Sequence, residues 1–216
     1  MRSIFAVDVG SLGNVGWARV ASGQPPEGSR SLSALVDRLA ADAANGWSLA
    51  LGFEAPGFLP IPENPTSLNR ARPGEGDRPW CFGAGAYTTA IGVQQSAWVV
   101  RALAYRAAAT HDITTDWLSW PPAEGPSPVV LLWEAFVSRA AHSPTNDPIE
   151  DAVTAAHAFL ENEHRLEKIH AVSCDPRRSL LGTVALWSGW STDLALLRSE
   201  PLVVRPDVRH LVVIPA

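Results

Sequence analysis

The chain has 216 residues with 46% hydrophobic and 18% charged, a balance that excludes a disordered or fibrous polymer and suits one globular domain. Its formal charge of −5 argues against a dedicated nonspecific nucleic-acid binder with a broad basic face, and its two cysteines are too few for a disulfide scaffold or a four-cysteine zinc site. No segment approaches the roughly 18 to 20 uninterrupted apolar residues of a membrane span, and the first apolar run is too short for a signal peptide, so a cytoplasmic protein with no membrane association and free thiols is expected.

In chain order, residues Ser3 to Val9 read as a buried strand, Gly10 to Asn14 as a turn, and Val15 to Val20 as the returning strand of a hairpin. Leu32, Leu35, Val36, Leu39 and Ala43 recur at helical spacing, with Ser31 as N-cap and Asn45-Gly46 as the stop. Trp47 to Phe53 is a second buried strand, halted by Glu54-Ala55-Pro56-Gly57. From Pro56 to Phe82 a Pro- and Gly-rich stretch with Arg70, Arg72 and Arg78 reads as a long loop of the kind that binds or covers ligands. Gly83-Ala84-Gly85-Ala86 is read as loop as well, since it lacks the third glycine and preceding strand of a dinucleotide fingerprint. A helix over Val93 to Ala109, a strand over Val129 to Phe136, a helix from Pro148 to about Asn162 and a helix over Leu180 to Trp187 follow. Leu202 to Arg205 and Leu211 to Ile214 read as short strands at the sheet edge.

Four acids stand out against this pattern. Asp8 ends the first strand and Glu54 follows the later apolar run, where a charge is costly to bury unless paired or bound to metal. Asp147 and Asp151, spaced i and i+4, share one face of a helix start. Side chains at the carboxyl ends of neighbouring strands converge on a crevice, and an all-carboxylate set suits Mg²⁺ or Mn²⁺. Two such ions roughly 3.5 to 4 Å apart can stabilise both attacking and leaving oxygens in phosphodiester hydrolysis, with Arg70, Arg72 or Arg78 holding phosphate. Each acid also has a plainer use. Asp147-Pro148-Ile149-Glu150 has the form of an N-cap, an N1 proline and a capping-box Glu; Asp8 can cap its turn, and Glu54 can accept bonds from its loop. His142, His157 and His164 near the acidic helix, and Trp80, Trp117 and Trp120 in loops, read as surface and core residues respectively. Ser11 and Ser138 lack a partnered His and Asp.

Val7-Asp8-Val9-Gly10 with Gly16-Trp17-Ala18, Phe53-Glu54-Ala55-Pro56, and Asp147-Pro148-Ile149-Glu150-Asp151-Ala152-Val153 resemble the RNase H-like superfamily with its RuvC-like resolvases, and within it an uncharacterised bacterial branch of predicted nucleases. The resemblance covers about residues 3 to 162. It implies an α/β fold with a five-stranded mixed sheet flanked by helices, a later-strand Glu that Glu134 would match, Mg²⁺ or Mn²⁺ as cofactor, nucleic acid as partner, and catalysis by Asp8, Glu54 and Asp151. Metal would be held by these three with Asp147 and Glu134. One domain over 1–216 is expected, with a core of about 3–165 and a C-terminal extension of about 166–216; a homodimer is compatible with it. The sequence departs from the pattern at Asn146-Asp147-Pro148, where a more acidic run is usual. Two other readings remain open: an RNase H-like module that binds or assembles without catalysis, and an actin-like or sugar-kinase ATPase, whose first phosphate loop Asp8-Val9-Gly10-Ser11 resembles. The ATPase lacks support from a second lobe or a second Gly-rich segment.

Overall fold

The computed structural model describes residues 1–76, 80–120, 127–137 and 145–206. In chain order its elements are β1 (Arg2–Asp8), β2 (Gly16–Val20), β3 (Glu27–Ser29), α1 (Leu32–Ala44), β4 (Ser48–Phe53), β5 (Phe58–Pro60), α2 (Gly83–Ala107), β6 (Asp112–Thr114), β7 (Val129–Ala135), α3 (Pro148–Glu161), β8 (Arg177–Ser179), α4 (Leu180–Trp187) and β9 (Val203–Val204), with 3₁₀ turns between several of them.

Seven strands form one mixed sheet in the order β3-β2-β1-β4-β7-β6, with β9 also pairing β7. The first three are antiparallel, whereas β1, β4, β7 and β6 run parallel, as does β9 beside β7. The expected count of five is therefore corrected to seven. The register shows where the extra strands go: β6 pairs Val129 to Leu131 and β9 pairs Glu134 and Ala135, so the two divide the outer edge of β7 between them. β6 is three residues long and carries no apolar alternation that a sequence reading can detect, whereas β9 is two residues within the run Leu202 to Arg205 expected as an edge strand. Strands β5 and β8 make a separate antiparallel ribbon.

Alternation along the strands builds two cores. Phe5, Val7, Leu49, Leu51, Phe53 and Leu132 pack against α1, α2 and α4, while Ile4, Ala6, Ala18, Ala50, Leu131 and Trp133 pack against α3. The second layer is rich in alanine on both sides, which lets α3 approach the sheet closely. Gly52 is part of the same economy of space, because a Cβ there would lie 2.3 Å from the Trp133 ring. Helix α1 is tied to β2 by a buried ion pair, Arg19 Nε donating to Asp42 at 2.7 Å.

Two further expectations change. Helix α2 begins at Gly83 rather than Val93, so Gly83-Ala84-Gly85-Ala86 is its first turn and not loop; its N-cap, Phe82, offers no side-chain acceptor, which is why no start signal is legible. The region beyond 165 is not an appendage either. Leu181, Val184, Ala185 and Leu196 belong to one core and Leu166, Leu202 and Val204 to the other. Helix α4 and the edge strand at Leu202 to Arg205 are found as expected, the strand as β9, whereas Leu211 to Ile214 lies outside the described residues. No described helix is long and apolar enough to cross a membrane.

Candidate functional site

The parallel ladder fixes the relation of the first two acids. Val7 is paired with Phe53, and the Glu54 N–H donates to the Val7 carbonyl at 2.7 Å, so Asp8 and Glu54 stand beside each other at the carboxyl ends of adjoining strands, about 4.8 Å apart along the hydrogen-bonding direction. Asp8 continues the row of Ile4 and Ala6 that faces α3, and Glu54 continues the row of Ala50 and Gly52 next to it. Both residues are half-buried. The turn after Asp8 is held from the other side of the sheet by Gln95, whose amide nitrogen donates to the Gly10 carbonyl at 2.6 Å.

Two glycines bring the acidic helix to this place. Gly16 is the antiparallel partner of Asp8, and a Cβ on it would lie 2.5 Å from the Pro148 carbonyl carbon and 2.7 Å from the Ile149 nitrogen. A Cβ on Gly28 would meet the Ile149 side chain at 2.7 Å. The first turn of α3 thus docks against backbone beside Asp8, and Asp151 in that turn is 4% exposed. The sequence signal for this docking is the bare Gly16-Trp17-Ala18, which reads as strand and gives no hint of a helix above it.

Asp147 takes its plainer role. It is the N-cap of α3, its Oδ1 accepting the Ile149 N–H at 3.0 Å and pairing with Arg30 at 3.2 Å. Glu150 accepts the Thr145 hydroxyl at 2.7 Å.

Glu134 stands on the next strand, β7. Its register partner on β4 is Phe53 and not Glu54, so its side chain falls in the alternate row. It is 1% exposed, and Arg72 grips both its oxygens, Nη2 to Oε1 at 2.7 Å and Nη1 to Oε2 at 2.8 Å, while the Gly57 N–H donates to Oε2 at 2.7 Å. Arg72 also donates to Glu75 from Nε and Nη2, to the Phe58 carbonyl from Nη1, and lies over the Phe58 ring at 4.8 Å. Burial alone would lower the Arg72 pKa, but Glu134 and then Glu75 hold it well above its ordinary value. Of the roles expected for them, Arg72 in phosphate binding and Glu134 as a metal ligand, the structure shows neither; it shows each engaged by the other, because a fully buried guanidinium needs carboxylate partners. Of the other two arginines, Arg70 is exposed and Arg78 lies outside the described residues.

A cavity of about 360 Å³ opens at this end of the sheet, lined by Glu54, Arg72, Glu134, Trp80, Phe82 and Gly85 among others. The remaining expectations resolve simply. Trp120 is buried edge-on to Phe159 at 5.9 Å, and Trp117 donates to the Glu200 carbonyl and meets the His170 ring at 5.0 Å, both filling core. His157 is half-buried, His164 is exposed, and His142 lies outside the described residues.

The donor chemistry of Asp8, Glu54 and Asp151, all carboxylate oxygen, suits a hard divalent cation. Among the described residues, however, no three His, Cys, Asp or Glu side chains form a group able to enclose one as they stand. Comparison with known proteins returns no matching family model, no matching curated protein and no matching solved structure. What the chain shows of its own kind is an α/β protein whose mixed seven-stranded sheet, covered by helices, carries acidic residues at the carboxyl ends of its parallel strands.

Proposed function

We propose that the chain is a metal-dependent nuclease of RNase H-like build that hydrolyses phosphodiester bonds of nucleic acid. The observation that carries this reading is the adjacency of Asp8 and Glu54 in the parallel ladder with the Asp151 turn docked on Gly16 beside them. The mixed run β3-β2-β1-β4-β7 with helices on both faces supports it, β6 and β9 being additions along the outer edge. Asp8, Glu54 and Asp151 would hold Mg²⁺ or Mn²⁺, which when bound supplies Lewis-acid polarisation of phosphate and a more acidic attacking water. The protein's own part is positional. The ladder keeps two carboxylates at strand spacing, the glycine contact keeps the helix acid near them, and the half-burial of Asp8 and Glu54 leaves a substrate access. Arg70, exposed and two residues before the cavity-lining Arg72, would offer a phosphate contact.

The test is cleavage of labelled DNA, RNA, junction and flap substrates with Mg²⁺ or Mn²⁺. Asp8→Asn and Glu54→Gln should each lower the rate at least about 100-fold while the melting temperature holds. Failure of the unaltered protein to cut any of these substrates overturns the reading. The Arg72 grip on Glu134, which withdraws one acid from the expected ligand set, favours a second reading: an RNase H-like module that binds nucleic acid without cutting it. Binding that is indifferent to chelator would select it.

A further inference from the structure

Helix α2 is 25 residues long, and the fold covers only one side of it. Gly92, Gln95, Val99, Leu103 and Ala107 face inward. A surface helix normally turns a charged stripe outward, yet the outward side of α2 repeats at close to 3.6 residues as Tyr87, Ile91, Gln94, Trp98, Arg101 and Tyr105. Tyr87 is 56% exposed, Trp98 47% and Tyr105 78%, and Trp187 on neighbouring α4 is 60% exposed. Arg101 is the single charged residue lining the groove between the two helices, and its guanidinium lies over Trp187 at 5.4 Å and Tyr105 at 5.9 Å. That groove encloses about 780 Å³ above small residues, Ala90, Val93, Ala97, Ala102 and Val184.

We propose that this α2–α4 face is a two-fold interface between two copies of the chain. The four exposed aromatics amount to roughly two and a half whole side chains, on the order of 500 Å² at about 200 Å² each. That matches the largest apolar patches found on monomers, about 300–600 Å², which are often contact surfaces. With the groove floor added it comes to on the order of 600 Å² per partner, the lower end of specific interfaces, which begin at about 1,200 Å² in total. The shape selects a second copy over a foreign partner. An isologous contact needs a surface that complements itself, and here the large aromatics Trp98, Tyr105 and Trp187 rim a groove floored by small residues, so that a two-fold axis can set an aromatic of each copy into the groove of the other. Charge points the same way. The patch carries no acid to recruit a basic partner, and its one cation already lies on its own aromatic rings.

Sedimentation equilibrium over a range on the order of 1 to 100 µM tests this, with the full chain and no nucleic acid or metal present. The expected mass is twice the 23.1 kDa of the chain. Trp98→Glu and Trp187→Lys, on different helices and both at exposed positions, should each raise the dimer dissociation constant at least about 100-fold with unchanged circular dichroism. Should one variant fail to fold, the other decides. A monomer throughout the range overturns the proposal, and so does a dimer that a folded variant leaves undiminished.

Discussion

Replacing Arg72 by methionine removes the cation shared by two buried carboxylates while keeping most of the side-chain volume. Glu134 is 1% exposed and Glu75 is 5% exposed, so neither can turn to water for its lost partner. Breaking a buried pair by deleting one member costs about 3–5 kcal/mol, because the charge left behind is uncompensated. Two acids are stranded here and Arg72 also holds the Phe58 carbonyl, so the upper part of that range applies, against a typical total stability of about 5–15 kcal/mol. The stranded acids can relieve the cost by taking up protons, so the loss should be larger at pH 8 than at pH 5. Urea unfolding followed by tryptophan fluorescence and far-UV circular dichroism measures both. The double variant Arg72→Met with Glu134→Gln should recover about 1–3 kcal/mol of the loss, and Arg72→Lys should fall between wild type and Arg72→Met because a single ammonium cannot grip both oxygens in parallel. A loss below about 1 kcal/mol at pH 8, or one equal at the two pH values, would refute the clamp and return Arg72 to the pool of phosphate contacts.

Two further perturbations probe the approach of the helix and the edge of the sheet. Gly16→Ala puts a Cβ 2.5 Å from the Pro148 backbone, so α3 must shift away from Asp8; stability should drop by about 1–3 kcal/mol, and cleavage should drop further than the folded fraction explains, whereas a variant with normal melting and normal activity would show that the close contact is unimportant. Burial holds His170 below its ordinary value of 6.5 against the opposing pull of Glu200 and Glu134, and its neutral Nδ1 accepts the Val203 N–H at 3.1 Å. The unfolded chain then binds the proton first as pH falls, so the contribution of His170 to stability is complete above about pH 6.5 and is lost on acidification below it. The melting temperature should decline over that interval, and His170→Asn should flatten the decline; an unchanged slope in the variant assigns it to other groups.

How much of this was legible depended on the physical origin of each element. β1, β4, β7, α1, α3 and α4 carry their own signal, as continuous apolar runs or as helical spacing with a cap, and they were placed within a few residues. β3, β5, β6 and β8 are held by neighbours more than by composition; β9 was legible as the run Leu202 to Arg205, but its partner, the edge of β7 at Glu134 and Ala135, was not. The position of Asp8 and Glu54 at strand ends was readable because an apolar run that stops on an acid shows its own end. The fate of Glu134 was not, since it turned on a single-residue offset in register and on a buried arginine far away in the chain. Asp147 was readable as an N-cap, and its bond to the Ile149 N–H shows that role.

The placement of β9 has a consequence for how the molecule comes into being. Glu134 donates its N–H to the Leu202 carbonyl and Phe136 donates to Val204, so the acidic end of β7 gains its last backbone partners from residues translated long after it. A nascent chain that has emerged only through α3 has every carboxylate of the candidate site but leaves that strand edge open to water or to another chain. Completion of this end of the sheet is therefore a late event of synthesis. Trimming the protein to the span covered by its family-like motifs would remove α4 and β9 and hand the molecule back in its unfinished form.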